Sequence, residues 1–438
     1  VGSEMCIRDR DMAKDNRKLG AGEVVPLALQ HVVAMVVGCV TVPTILGTAG
    51  GIASDDLVIM MQASLLCAAI AILIHAFGKF GIGCNLPVII GSGFAFIPTL
   101  TSIVKTDGMS GVLGAQLIGA LVGIVVGLGF KKIRFLFPPI VTASVVLTVG
   151  ISLYGTAVKY MAGGENSSIF GTPKAWIVAL ITLGSVLFFS QFCKGILKVS
   201  ATLLGLIVGY VVAAFFGMVD FTRVADAAVV ALPKPFHFGL SFSVGGIVSM
   251  IIIFVINSIQ DIGQFEATTA GAFNRKATDK ELSGGIIGNN ITSAIGAILG
   301  GTPNATCGQN VGIVVTTSVT DRIVFVVAAL IIMVTALMPK LAEVFLTIPL
   351  PVLGGATITV FGSIAMTGVR MLSGAGLTPR NLSIAGLSVA LAVGLSRTPG
   401  AFAGCPEVVR MIFGGSEIVI VALIAIVLNL ILPKEKQS

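Results

Sequence analysis

The chain has 438 residues, of which 55% are hydrophobic and only 11% are charged, and its mean hydropathy is +1.03. A soluble domain carries about 25% charged residues, so the composition excludes an ordinary soluble domain and indicates a membrane protein. The formal charge of +7 does not indicate nucleic-acid binding, because the Lys and Arg residues are scattered over short loops.

The two ends of the chain are polar. Residues 1–11 match nothing in the rest of the chain and are interpreted as a remnant that is not native, so the protein's own sequence is expected to start at Met12. Residues 12–24 and 433–438 are then the N-terminal and C-terminal tails.

Fourteen apolar segments follow one another between the tails. An even number places both termini on one side of the membrane, and that side carries about twice as many Lys and Arg residues as the other. The sequence therefore predicts an all-α polytopic membrane protein with both termini in the cytoplasm. The segments lie at 25–47, 57–77, 81–104, 109–129, 135–156, 174–192, 196–217, 242–270, 283–300, 304–318, 322–339, 345–371, 381–396 and 413–432.

The first and third segments contain candidate functional residues. His31 could be a proton carrier or a neutral hydrogen-bonding strut, and the strut is favoured. In segment 3, a β-branched run and two glycines predict a short extended piece, and then a half-helix that starts near Gly91. Phe94 or Phe96 could stack on a flat heterocycle, unless this is a kinked helix with core phenylalanines. His75 and His237 lie near span ends or in a loop and are assigned no role.

Segment 8 ends in a dense polar turn. Gln260 and Gln264 are four residues apart and share one helix face, whereas Asp261 lies about 100° around the helix from Gln260. A carboxylate within a membrane span is a functional candidate. Asp261 and Glu266 are the candidates near the site, and the alternative is that both lie at the helix end in cytoplasmic water.

Polar residues also interrupt segments 9 and 10. Asn289 could hydrogen-bond across the core. Gln309 and Asn310 lie with glycines and a proline between apolar runs, and such breaks mark substrate sites in transporters. An amide offers a donor and an acceptor, which matches a nucleobase edge. Interhelical hydrogen bonding is the alternative for the amide pair alone.

Two stretches echo each other at a distance of seven segments. Residues 139–150 and 351–362 both begin with Pro and end with Gly at the same spacing, and segments 3 and 10 both follow a proline. An odd number of spans per repeat inverts the second copy. The sequence therefore predicts a 7+7 inverted repeat in which segments 3 and 10 are broken by short extended stretches.

The pattern Gln309-Asn310-x-Gly312-x4-Thr317 resembles the signature of the nucleobase–ascorbate transporters, also called nucleobase:cation symporter-2. Gln30-His31, Gly284-Gly285 and the run 93–98 add to the likeness. The chain is similar to bacterial xanthine/urate permeases, in which Gln opens the motif, whereas uracil permeases tend to carry Glu.

The resemblance implies a homodimer in the bacterial cytoplasmic membrane that works by elevator-like movement, with no metal and no cofactor besides a co-transported ion, H⁺. The core would comprise residues 25–129 and 242–339, and the gate 130–241 and 340–432. The substrate-binding residues would be Phe94, Ala95, Gln260, Gly308, Gln309 and Asn310. Coupling or structural support would come from His31, Asp261, Gln264, Asn289, Gly312 and Thr317.

Three positions depart from the pattern of the family. Gln260, Gln264 and Asn289 stand where its members often carry a carboxylate, so three groups that bind protons are replaced by amides. Either Asp261 has taken over the proton, or the protein is an uncoupled facilitator or uses another ion.

The expected function is secondary transport of a nucleobase, a purine such as xanthine or urate. A uracil or other pyrimidine permease is the near alternative, and a sulfate-permease-like small-anion transporter is the more distant one. An enzyme or a channel is disfavoured, because the spans carry neither a His/Asp/Glu metal cluster nor a repeated filter.

Overall fold

A computed structural model describes residues 21–133, 138–165, 167–194, 196–317, 319–398, 400–405 and 417–433. Residues 1–11, which the sequence predicts to be a remnant, and most of both tails lie outside these ranges. The helices are α1 Ala21–Gly50, α2 Ser54–Ala76, α3 Ile97–Ile133, α4 Pro139–Met161, α5 Pro173–Phe192, α6 Ile196–Val199, α7 Ala201–Phe215, α8 Thr222–Asp226, α9 Val244–Phe273, α10 Asp279–Leu299, α11 Gly308–Thr317, α12 Arg322–Ala336, α13 Pro339–Leu346, α14 Leu350–Gly374, α15 Pro379–Ser396 and α16 Glu417–Ile431. Two strands, β1 Ile90–Ser92 and β2 Asn304–Thr306, and a 3₁₀ turn at Phe94–Phe96 complete the described elements.

The chain is a helical membrane protein. Among the described residues, eight helices are long and apolar enough to cross a membrane, or nine if α12 and α13, which meet at 82°, form one span. Predicted segment 4 and residues 97–104 of predicted segment 3 form the single helix α3, which is interrupted at Gly108 (φ 69°). The predicted fourteen spans and their inverted repeat stay predictions.

Local sequence fixes the starts of the helices that build the site. Ser243 accepts a hydrogen bond from the backbone N–H of Gly246 at the start of α9. At the start of α10, Thr278 and Glu281 form a reciprocal capping box. These side chains satisfy backbone N–H groups that have no partner within the helix, so α9 and α10 begin at defined residues.

The helices pack in two groups. In one, α3 packs against α9 and α10, and α12 packs against α1 and α2. In the other, α14 packs along α4 and α5, and α5 packs against α7. The backbones of α4 and α14 touch, because a Cβ at Gly150 would lie 2.4 Å from the Ala365 nitrogen and one at Gly368 would lie 2.4 Å from the Leu147 nitrogen.

The two strands pair with each other in antiparallel fashion, with Gly91 opposite Ala305. Backbone hydrogen bonds from Gly93 to Pro303 (3.0 Å) and from Cys307 to Ile89 (2.9 Å) extend the ladder at both ends. The prediction that a half-helix starts near Gly91 is wrong by a few residues, because Gly91 is the middle residue of β1. Helical backbone begins only at the turn that opens with Phe94.

Candidate functional site

The strand pair brings two helix starts into one region of the protein. The chain leaves β1 into the turn at Phe94, and it leaves β2 into α11 at Gly308. Because the strands are antiparallel, the two starts lie at opposite ends of the small sheet, separated by about 10 Å of strand. Helix starts carry backbone N–H groups without helical partners. Helix α9 contacts both the turn and α11, and so it lines the space between them.

Amide side chains surround the start of α11. Gly308 and Gln309 are exposed there. A Cβ at Gly308 would lie 3.1 Å from Nε2 of Gln264, so the glycine permits the close approach of that side chain. One turn earlier in α9, Gln260 has a buried Oε1 that finds no hydrogen-bond partner among the described residues. The structure therefore brings Gln264 and Gly308 together and leaves the side-chain oxygen of Gln260 available to a ligand.

The two candidate stacking rings differ in their surroundings. Phe96 is fully buried and packs against Phe254 with ring centroids 4.8 Å apart. Phe94 is only partly buried, and its neighbour Phe361 of α14 meets it edge to face at 5.7 Å. Of the two rings, Phe94 is the one that is available to a ligand. Ala95 beside it is buried at 5% exposure.

Asp261 is buried at 2% exposure, so the alternative that places it in cytoplasmic water is wrong. Glu266, by contrast, is exposed. The Asp261 carboxylate accepts three N–H donors: the Thr306 backbone (2.8 Å) and the side chains of Asn289 (2.8 Å) and Asn257 (3.0 Å). These donors replace the water that a carboxylate loses when it is buried. Asp261 thereby ties α9 to α10 and to β2.

His75, which the sequence analysis assigned no role, belongs to the same network. It is fully buried near the end of α2, and its Nε2 lies 2.9 Å from Oδ1 of Asn289. The backbone N–H of Cys84 donates to its Nδ1 at 3.3 Å. Sequence reasoning missed this contact because His75 and Asn289 are 214 residues apart. The other unassigned histidine, His237, pairs with Asp56 at 2.7 Å in an exposed position.

His31 and Asn310 form a second buried pair. Nδ2 of Asn310 lies 3.0 Å from Nδ1 of His31 and donates to the His31 carbonyl oxygen at 2.9 Å. The imidazole also packs against the Phe325 ring, with centroids 4.9 Å apart. This geometry is that of a strut between α1 and α11. Asn310 is 1% exposed and its side chain is engaged with His31, so the exposed neighbour Gln309 is better placed to meet a ligand.

Gly312 and Thr317 lie further along α11. A Cβ at Gly312 would meet no atom within 4 Å, so packing does not require glycine there. Thr317 donates to the Ile313 carbonyl at 2.8 Å and accepts from the Val319 N–H at 3.4 Å, which closes the end of the helix. The helix places Thr317 about 13 Å from Gly308, so its contribution is to the helix end rather than to the ligand space.

The titratable side chains that the structure describes do not assemble into a metal site. Within the described ranges, no group of three or more His, Cys, Asp or Glu residues could hold a metal ion. The described residues of the site offer hydrogen bonding by amides and backbone N–H groups, stacking on Phe94, and proton binding at the buried carboxylate of Asp261.

Solved structures with a similar fold are transporters. The transmembrane domain of a cyanobacterium bicarbonate transporter, BicA, superposes with a TM-score of 0.64 at 16% identity, covering 94% of this chain and 98% of that one. Murine Slc26a9, an anion transporter in the inward-facing state, gives a TM-score of 0.62 at 11% identity over 95% of this chain and 69% of that one. These likenesses show the fold alone.

Sequence relatives are more specific. A family model described as "Permease family" (Xan_ur_permease) matches residues 22–401. The xanthine permease of Bacillus subtilis (strain 168) is 33% identical over 94% of both chains. The uric acid permease PucJ of the same organism is 34% identical over 93% of this chain and 92% of its own. The uric acid transporter UacT of Escherichia coli (strain K12) is 28% identical over 96% of this chain and 88% of its own. The chain therefore belongs to this permease family.

Proposed function

We propose that the chain is a secondary transporter that carries a purine nucleobase, such as xanthine or urate, across the bacterial cytoplasmic membrane. One observation carries this proposal: the Gln264 amide lies against Gly308 at the start of α11, beside the exposed Gln309. The relatives named xanthine permease and uric acid permease support a purine as the substrate.

The site matches the chemistry of an oxidised purine. Gln309 and Gln264 each offer a donor and an acceptor to the alternating groups on the edge of the base. The backbone N–H groups of Gly308 and Gln309, which precede the first hydrogen bonds of α11, suit its carbonyl oxygens, and the face of Phe94 suits its flat ring. A base that lacks a matching group leaves a buried polar partner unpaired, at a cost of about 1–3 kcal/mol. Pyrimidines share part of this edge and are the nearest competing substrates.

Proton coupling through Asp261 is part of the proposal. Asp261 follows Gln260 in α9, and its carboxylate binds the backbone N–H of Thr306 in β2. Strand β2 leads directly into Gly308, so a proton on Asp261 and a purine at Gly308 would act on the same segment. If Asp261 does not change its protonation during transport, the alternatives are an uncoupled nucleobase facilitator and a transporter that uses another ion.

We further propose elevator-type alternating access in a homodimer with cytoplasmic termini. The core (25–129 and 242–339) would move against the gate (130–241 and 340–432), and the two halves would be a 7+7 inverted repeat with broken segments 3 and 10. An apolar cavity of about 180 Å³ between α1 and the helices α7, α13 and α14 supports such movement. Side chains such as Val40, Leu206 and Leu353 line it, so this contact contains few polar bonds to break.

The test is uptake of radiolabelled xanthine and urate by permease-deficient bacteria that express the chain, with and without a protonophore. Concentrative uptake that the protonophore abolishes is the expected result. Saturable uptake that never exceeds equilibrium would identify a facilitator. If neither purine enters cells whose membranes contain the protein, the purine assignment fails. Uracil, sulfate and bicarbonate then test the pyrimidine and small-anion alternatives.

A further inference from the structure

His75 is a buried titratable residue that the proposed transport cycle does not yet use. It is 0% exposed near the end of α2 and has hydrogen-bond partners on both sides of its ring. On one side are the backbone N–H and the thiol of Cys84, and on the other is Asn289, whose amide nitrogen contacts Asp261. His75 is therefore connected to the proposed proton carrier through a single side chain.

The backbone N–H of Cys84 determines the donor and the acceptor of each hydrogen bond from His75 to Asp261. A backbone N–H can only donate, so the Cys84 N–H makes Nδ1 of His75 the acceptor at 3.3 Å. In the neutral ring the proton is then on Nε2, which donates to Oδ1 of Asn289 at 2.9 Å. Asn289 consequently turns Nδ2 towards Asp261, where it donates to Oδ2 at 2.8 Å.

Glycines make room for this arrangement. A Cβ at Gly288 would lie 3.1 Å from Cε1 of His75, so glycine at that position lets α10 approach the imidazole without displacing it. One turn earlier, a Cβ at Gly284 would lie 2.4 Å from the Gly83 carbonyl oxygen, and the Gly83 N–H donates to the Gly284 carbonyl at 2.8 Å. The loop that contains Cys84 therefore packs directly against α10.

We propose that His75 is a positioning residue that locks the Asn289 amide with its nitrogen towards Asp261, so that protonation of Asp261 changes its contacts with Asn257 and strand β2 instead of turning Asn289. The inference rests on the proposed proton-coupled transport. It assigns His75 no contact with the substrate and no proton of the cycle. Its role is to prevent one particular rearrangement.

That rearrangement is a flip of the Asn289 amide. A proton that binds Asp261 on Oδ2 creates an O–H group that faces the Nδ2–H of Asn289, and two donors cannot share a hydrogen bond. A flipped amide would offer Oδ1 to the new O–H, and the other contacts of Asp261 could then stay as they are. His75 opposes the flip, because the flipped Nδ2–H would then face its own Nε2–H. With Asn289 held, the change falls on the two other contacts of the carboxyl group, the Asn257 amide and the Thr306 N–H of β2.

Two substitutions at His75 test the lock in proteoliposomes with the full chain. His75→Met removes the donor, and His75→Gln keeps a donor but allows the side chain to turn. Purine exchange at equal pH needs binding and movement but no coupling, so we expect both variants to retain it. Accumulation driven by an imposed pH gradient should fall about threefold to tenfold in His75→Met, the range for one lost hydrogen bond, and less in His75→Gln. His237→Met, in an exposed position, is the matched control and should behave as the unmodified protein.

The outcomes are distinguishable from one another. A His75→Met variant that accumulates purine as well as the unmodified protein would overturn the inference, and so would a His75→Gln variant that accumulates no more than His75→Met. Absence of purine transport by the unmodified protein would instead overturn the proposed function. Should His75→Met not reach the membrane, ¹⁵N-histidine NMR of the unmodified chain, which has only three His residues, decides the matter. The inference requires the Nε2–H tautomer at His75, and the Nδ1–H tautomer contradicts it.

Discussion

The protein contains two buried His–Asn pairs that differ in what lies beyond the asparagine. In the pair between α1 and α11, Asn310 points Nδ2 at both the ring and the carbonyl of His31, and its Oδ1 has no hydrogen-bond partner. In the pair between α2 and α10, Asn289 uses both ends of its amide and reaches the carboxylate of Asp261.

The difference shows that the orientation of the amide, rather than the residue types, distinguishes the two pairs. The His31 pair ends within the fold and joins two helices, which is the geometry of a strut. The His75 pair continues to a buried charge and from there to the backbone of β2. We therefore expect substitutions in the first pair to affect stability and substrate affinity, and substitutions in the second to affect coupling.

Removing the charge at the end of the second pair should have the largest effect. Asp261→Asn places an amide among three N–H donors, so concentrative uptake should be abolished while purine exchange persists. The mismatch of donors should also cost about 1–3 kcal/mol of unfolding free energy. Uptake with and without a protonophore, together with thermal melting in detergent, measures both effects. Glu266→Gln, an exposed change in the same helix, is the control, and concentrative uptake retained in Asp261→Asn would refute the assignment.

Truncating each asparagine separates the two pairs. Asn289→Ala deprives Asp261 of one of its three donors and should lower the accumulation ratio about tenfold with little change in KM. Asn310→Ala removes the strut at the start of α11 and should raise KM about threefold to tenfold while coupling is retained. Initial rates and steady-state accumulation in the same vesicles give both quantities. Identical profiles for the two variants would contradict the contrast.

A methyl group placed against the His75 ring should have a smaller effect. Gly288→Ala puts a Cβ 3.1 Å from Cε1 and forces the imidazole or α10 to move slightly. We expect the accumulation ratio to fall about threefold, because the hydrogen bond to Asn289 lengthens without being lost. Gly362→Ala in α14 is the matched control for a glycine-to-alanine substitution within a helix, because a Cβ there would meet no atom within 4 Å. A larger loss in the control than in Gly288→Ala would show that packing near His75 is not the cause.

The smallest effect should come from the thiol beside His75. Cys84 contacts Nδ1 through its sulfur at 3.2 Å and through its backbone N–H at 3.3 Å. Cys84→Ala removes only the sulfur, so the ring keeps the donor that fixes its tautomer. Coupling should remain unchanged, and the unfolding free energy should fall by less than about 1 kcal/mol. Loss of coupling in Cys84→Ala would mean that the thiol, rather than the backbone, orients His75.

Part of the site could be predicted from the sequence because it depends on local pattern. The amides and glycines between apolar runs indicated a substrate site around Gly308 and Gln309. The spacing in α9 placed Gln264 and Asp261 on different faces of the helix. The structure follows this separation: Gln264 contacts Gly308, whereas Asp261 binds α10 and β2. Helical periodicity alone determines which residues share a face, so such a prediction needs no tertiary information.

The His75 network could not be predicted because its parts are distant in sequence. A histidine near the end of an apolar segment looks like an interfacial residue, and only the seating of the loop on α10 buries it. The available signal was the pair Gly284 and Gly288, spaced one helical turn apart, which marks a face of α10 open to close approach. That spacing predicts a close contact, but it does not identify the partner.

Proton movement that accompanies the substrate tests the central claim most directly. The full chain would be reconstituted in vesicles that contain a pH-sensitive dye, and xanthine or urate would be added outside without an imposed gradient. The account predicts acidification of the interior with the unmodified protein, because each purine enters with a proton, and no pH change with Asp261→Asn. Purine entry without any pH change in the unmodified protein would contradict proton coupling through Asp261.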